Sequence, residues 1–120
     1  MLSIIEKGSE KIAILRLTGD PLGESDAELV REKVRGVMET RVLHLVFEMS
    51  GVRHINSSGL AGLVAAKVTM ARLGGTVQFT NLNKNVLGIL DMTRLNTVFD
   101  ILPTLEEAMK RWETEVGSKG

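Results

Sequence analysis

The sequence contains no cysteine. Disulfides, thiolate metal sites and thiol nucleophiles are therefore excluded. Tyrosine is also absent, and aromatic residues make up 3% of the chain, too few for the stacked platforms that hold single-stranded nucleic acid. Neither charge sign is in excess: Lys plus Arg and Asp plus Glu are both 15, giving a formal net charge of +0. Broad capture of nucleic acid or of an anionic membrane surface needs a basic surplus, so direct nucleic-acid binding is not expected. No apolar run approaches the roughly 18 residues of a membrane-spanning helix, so membrane insertion is not expected either. The start, Met1-Leu2-Ser3-Ile4-Ile5-Glu6-Lys7, lacks a long apolar stretch behind a basic one, and no secretion signal is read there. The expected location is cytoplasmic.

What is present is the composition of a globular protein, 43% hydrophobic and 25% charged over 120 residues. That length suits one domain, read as residues 1–116, with 117–120 as a frayed tail. No internal repeat or low-complexity linker interrupts it.

Strand-like and helix-like segments alternate. Leu2–Glu6 and Ile12–Leu17 read as a hairpin around a turn at Gly8-Ser9-Glu10. Ser25-Asp26-Ala27-Glu28 has the form of a capping box and opens a helix with Leu29, Val30, Val34, Val37 and Met38 on one face. Arg41–Glu48 is an apolar strand suited to the interior of a sheet, followed by a loop from Met49 to Asn56. A helix starts at Ser57 or Ser58, with Leu60, Leu63, Val64, Val68 and Ala71 as its buried stripe, and Gly74-Gly75 ends it. Thr76–Thr80 alternates as a strand. Asn83 caps a short helix carrying Val86, Leu87 and Leu90, and Val98–Leu102 reads as an edge strand. A second capping box, Thr104–Glu107, opens a last helix with Leu105, Ala108, Met109, Trp112 and Val116 in one stripe, Trp112 anchoring it to the sheet. The pattern predicts an α/β domain with a four- or five-stranded mixed sheet and about four helices packed mainly on one face.

The segment richest in chemistry is Asn56-Ser57-Ser58-Gly59-Leu60. Two of the predicted helices carry Glu in the first turn, but the one beginning at Ser57 or Ser58 has Gly59, Leu60, Ala61 and Gly62 there. Its free N–H groups and positive dipole end are not offset by a local acid, so a phosphate on a serine hydroxyl would find backbone donors. One of the serines is also a natural N-cap, and the two roles are compatible. Ala61, Gly62, Ala65, Ala66 and Thr69 form a small-residue face that admits a close partner or is a plain solvated surface.

Other chemistries have little support. His44 and His54, ten residues apart, do not have zinc spacing, and no metal cluster is read. A Ser–His hydrolase would need one of them as a base with a third group to orient it, so both are read as structural or surface residues. Gly59-x-x-Gly62 lacks the Gly-Lys-Ser/Thr of a phosphate loop. No cofactor is implied. The six Met residues read as core filling. Lys67 marks the border of an exposed face or snorkels from the stripe. Asp91 to Leu95 offers polar contacts to a partner or is a helix end with Arg94 favouring the dipole.

Phe47-Glu48-Met49-Ser50-Gly51-Val52, followed by Ile55-Asn56-Ser57-Ser58-Gly59-Leu60, resembles the signature of the STAS domains of bacterial anti-sigma factor antagonists. The likeness extends from Leu17-Thr18-Gly19-Asp20 through Gly74-Gly75 and Leu90-Asp91-Met92-Thr93-Arg94-Leu95 into the last helix, nearly the whole chain. It implies a single STAS domain, not an enzyme, acting by partner switching in transcription control. Its partners would be an anti-sigma factor that is also a serine kinase, and a PP2C-type phosphatase. The resemblance places the phosphoacceptor at Ser57. The partner-binding residues taken from the resemblance and the small-residue face are Asn56, Ser57, Ser58, Gly59, Ala61, Gly62, Ala65, Asp20 and Asp91. The chain departs from the family at Asn56, where the family has Asp, and at Pro21-Leu22, where it tends to have a second acid. A monomer or weak dimer is expected. The alternatives are a non-phosphorylated STAS subunit of a sensory complex or lipid-transport machine, and a small-ligand or nucleotide binder.

Overall fold

Along the second strand, side chains alternate between two buried layers. Ile12 and Ile14 point one way and Ala13, Leu15 and Leu17 the other, and all five are buried. A sheet covered on both faces follows. The computed structural model describes residues 2–7 and 10–119; the side chains of Lys7 and of residues 116–119 are also outside the description.

Five strands form one sheet in the order β1-β2-β3-β4-β5. β1 (Leu2–Lys7) runs antiparallel to β2 (Glu10–Gly19), from Leu2↔Leu15 to Lys7↔Glu10. Glu10 thus belongs to β2, while the expected turn at Gly8-Ser9 lies outside the described residues. β3 (His44–Val52), β4 (Thr76–Thr80) and β5 (Asp100–Leu102) then add in parallel.

Each parallel step moves to the next strand in the same direction. Crossovers of one hand therefore lay their helices on one face. α1 (Glu24–Glu39), α2 (Ser57–Arg72) and α3 (Lys84–Met92) share the larger core with Leu15, Leu45, Phe47, Val77 and Phe79. Phe79 sits stacked between Phe47 and Phe99, at centroid distances of 5.3 and 4.3 Å. α4 (Leu105–Lys119) follows β5 and owes nothing to a crossover. It covers the opposite face, where Ala108 and Trp112 pack with Ile12, Ile14, Val46 and Leu102. Its helix reaches Lys119, past the point where the tail was expected to begin.

Several boundaries differ from those implied by the sequence. β3 begins at His44, three residues later than its apolar run, because Arg41 turns in the left-handed region at φ 61° and Thr40 Oγ1 bonds the Val37 carbonyl at 2.7 Å. β3 then runs on to Val52 through residues expected to be loop, since β2 continues beside it to Gly19↔Val52. A shift in register there leaves Thr18 opposite Gly51. α1 is capped at Gly23, not Ser25: the Asp26 carboxylate accepts from the Gly23 N–H at 2.8 Å. Its buried face is Ala27, Val30, Val34 and Val37, leaving Leu29 exposed. In α2 the buried residues are Gly59, Gly62, Leu63, Ala66 and Met70, while Val68 and Ala71 face solvent. That helix lies against α1 as well as the sheet, and the side-by-side contact selects its small residues. Among the expected caps, Asn83 accepts from Val86 N at 2.9 Å and Thr104 Oγ1 from Glu107 N at 3.2 Å.

Candidate functional site

Beyond the carboxyl ends of β2 and β3 the two chains continue side by side. Arg53 N donates to Gly19 O at 2.9 Å, Leu22 N to His54 O at 2.8 Å and Asn56 N to Leu22 O at 3.1 Å. Leu22 and Ile55 are buried beneath this ladder and pair as a parallel bridge. The loop leading into α1 thereby holds the loop leading into α2. The start of α2 is a fixed platform at the strand ends, where ligands and partners commonly meet a parallel sheet.

Asn56 closes that helix. Its Oδ1 accepts from Gly59 N at 3.0 Å, and its backbone is extended at φ −101°, ψ 178°. Neither Ser57 nor Ser58 is the cap, contrary to the reading of one of them in that role. The reason is positional: both already lie within the first turn. Both are exposed, and neither side chain makes a hydrogen bond among the described residues. The first turn holds no acid. Ser57 thus presents a free hydroxyl at the positive end of a 16-residue helix.

The neighbouring side chains are tied down. His54 Nδ1 lies 2.7 Å from Asp20 Oδ1, and Asn85 Nδ2 lies 3.4 Å from His54 Nε2. His54 therefore joins the α1 loop to the start of α3, which fits the structural reading given to it. Asn83 Nδ2 donates to the carbonyls of Val52 and Arg53 at 3.2 and 2.9 Å, fixing α3 to the same loop.

The sequence-selected residues separate into two groups. Asn56, Ser57, Ser58, Ala61, Asp20 and Asp91 are exposed, and Ala65 is half-buried. Gly59 and Gly62 are buried by the chain's own packing. A Cβ at Gly59 would strike the Leu22 carbonyl, and one at Gly62 would come within 2.7 Å of the Ala27 Cβ. These glycines shape the platform from below and offer no surface.

A shallow apolar surface extends from Ser57 along α2. It is formed by Leu60, Ala61, Val64 and Ala65 on one side and by Thr93 and Leu95 on the other. Met92, beside it in sequence, is 85% exposed. Thr93 and Leu95 were visible only as part of the Asp91–Leu95 segment; Arg94, at φ 60°, supplies the turn that carries them past the end of α3. Asp91 does not line this surface.

On the α4 face, the carboxylate of Glu48 is buried. Desolvation raises its pKa, but hydrogen bonds from Ser50 and the Arg16 guanidinium prevail and hold it below the usual 4.5. Arg16 Nη1 is 2.9 Å from one oxygen and Ser50 N is 2.7 Å from the other. Among the described residues no group of three or more His, Asp and Glu could hold a metal ion, and no helix is long and apolar enough to cross a membrane.

The STAS domain family matches residues 3–108 of the chain. Among solved structures, it is similar to TM1081 of Thermotoga maritima, at 21% identity over 92% of each chain and a TM-score of 0.75. It is similar to the phosphorylated Bacillus cell-fate determinant SpoIIAA at 18% identity, covering 92% of this chain and 98% of that one, with a TM-score of 0.67. The murine anion transporter Slc26a9 contains the same fold: 86% of this chain matches 18% of that protein at 19% identity and a TM-score of 0.68. At such identities these likenesses are ones of fold.

Proposed function

The chain belongs to the STAS-domain family, and on that premise we propose that it is a cytoplasmic, non-catalytic anti-sigma factor antagonist regulated at Ser57. The observation that carries this reading is the division of labour between Asn56 and Ser57. Asn56 takes the capping role, so the Ser57 hydroxyl stands exposed and unbonded at a helix start without acid. Its unmodified form binds an anti-sigma factor serine kinase through Ser57, Ser58, Ala61 and the adjoining apolar surface of α2, with Asp20 and Asp91 at the margins. Transfer of the γ-phosphoryl group to Ser57 Oγ adds about −1.5 to −2 charge at pH 7. The helix end tolerates that charge, so the fold persists while a neutral, apolar docking surface becomes anionic. A PP2C-type phosphatase restores the binding form.

The test is incubation of the chain with the cognate kinase and ATP, followed by intact-mass measurement and site mapping. One phosphate on Ser57, absent from Ser57→Ala, is the expected result. Equal labelling of the two proteins overturns the assignment. A second reading rests on Asn56, which brings no negative charge to the serine: a STAS subunit of a larger assembly that docks through this surface without phosphorylation. Stable capture of a partner unaffected by kinase and ATP would favour it.

A further inference from the structure

α1 and α2 pack side by side, with Ala27 against Gly62. Farther along, Ala65, Ala66 and Thr69 of α2 face Val34 and Met38 of α1 across a surface depression. The result is a groove of about 300 Å³, at the lower end of the range for ligand pockets. Val30, Val34, Gly62 and Ala66, all buried, form its floor. No carboxylate lines it.

The charged residues at its mouth are arginines, with Glu28 and Glu32 on the adjoining surface of α1. Arg31 and Arg35, exposed and one helical turn apart, are the charged residues of the lining. Two like charges at this spacing repel. Arg31 is only loosely engaged by Glu28, at 3.5 Å between side chains that are both more than half exposed. Arg35 has no acidic partner among the described residues. Two guanidinium groups thus stand over an apolar trench, with one uncommitted and the other weakly held. An anion between them would relieve the repulsion and be held by paired N–H donors.

We propose that this groove is a binding site for an amphiphilic anion: a single acyl or alkyl chain of medium length lying along Val30, Val34 and Ala66, with its carboxylate or phosphate at Arg31 and Arg35. The site adjoins the surface beside Ser57 at Ala65 but opens toward α1, and it does not depend on the function proposed for that serine.

The experiment is an NMR titration of the isotopically labelled full chain with decanoate, decyl phosphate and decanol, each below its micelle-forming concentration. Saturable shifts in Val30–Met38 and Gly62–Thr69 with decanoate or decyl phosphate are expected, the tighter of the two identifying the head group. Decanol should bind more weakly. Arg35→Glu should weaken binding of the anions by about tenfold, the loss of one charge-assisted contact, and leave decanol unchanged. Thr69→Phe should block all three by filling the trench. If that variant misfolds, as judged by circular dichroism, the Arg35→Glu comparison still decides. Absence of saturable shifts in these segments, or equal binding of anion and alcohol that is insensitive to Arg35→Glu, overturns the proposal.

Discussion

The Asn56 side chain and the Gly59 N–H are joined at 3.0 Å, one residue before the serine hydroxyl that the bond leaves free. An acid at this place in related proteins could make the same bond, so Asn56 preserves the helix geometry while removing the charge. Asn56→Ala should cost about 1 kcal/mol, the usual value of an N-cap. Asn56→Asp should be neutral or stabilising by about 0.3–1 kcal/mol, because it keeps the acceptor and adds a charge favoured at the helix start. Urea denaturation of the three proteins at neutral pH measures both effects.

Ser57→Ala should unfold within about 0.5 kcal/mol of the natural protein, as an exposed residue without a side-chain bond. On the proposed function it should bind an anti-sigma factor kinase and resist release on addition of ATP. Ser57→Glu should fold normally and bind poorly. Affinity chromatography on the immobilised kinase, with a melting curve for each variant, separates loss of binding from loss of structure.

Two helical glycines should respond oppositely to alanine. At Gly59 the added Cβ meets backbone, the Leu22 carbonyl, which cannot swing away. Gly59→Ala should destabilise by about 1–3 kcal/mol and disturb the loop that aligns Ser57. Gly36 lies inside α1 with nothing within 4 Å of an added Cβ. Gly36→Ala should stabilise by about 0.5–1 kcal/mol through lower chain entropy in the unfolded state. Denaturation midpoints with unchanged m-values check the pair.

Glu48 predicts a pH dependence. Its folded pKa is depressed below 4.5 by Ser50 and Arg16 against the opposing effect of burial. The unfolded chain therefore takes up the proton first as pH falls. Stability is fully present above the unfolded value near 4.5 and is lost as the pH drops through the lower folded value. Glu48→Gln should cost about 1.5–3 kcal/mol at pH 7, in line with a buried charge-assisted bond, and progressively less below pH 4.5. A stability gap that stays constant from pH 7 to pH 3 would refute this.

The hydroxyl of Thr80 is fully buried and lacks a hydrogen-bond partner among the described residues. Thr80→Val keeps the shape and removes the unpaired group. It should raise stability by about 1–3 kcal/mol, and a loss on calorimetry would show that the hydroxyl is engaged.

The element order and the mixed sheet were legible because period-two and period-3.6 patterns are written in the β2, β4 and α4 segments themselves. Boundaries set by partners were not. The extension of β3 to Val52 depends on the continuation of β2, and the burial of Gly59 and Gly62 depends on Leu22 and Ala27, more than thirty residues earlier in the chain. The capping residue of α2 was misplaced because Asn, Ser and Ser are all good caps in a row, and only the position of the first helical turn decides among them. The groove between α1 and α2 was invisible for a similar reason. A small-residue stripe looks the same in sequence whether a neighbouring helix closes over it or stops short.

The strand order has one further consequence. Every strand is a neighbour of the strand that precedes it in the chain, and none must be inserted between two already paired. The sheet can grow from one edge to the other as the polypeptide leaves the ribosome, each new strand finding its template already laid down. Loop closures stay local, which keeps the ordering cost of each addition small. α4 reaches back from the last strand across to Ile12 and Ile14 of the second, so Trp112 packs over strands laid down at both ends of that sequence.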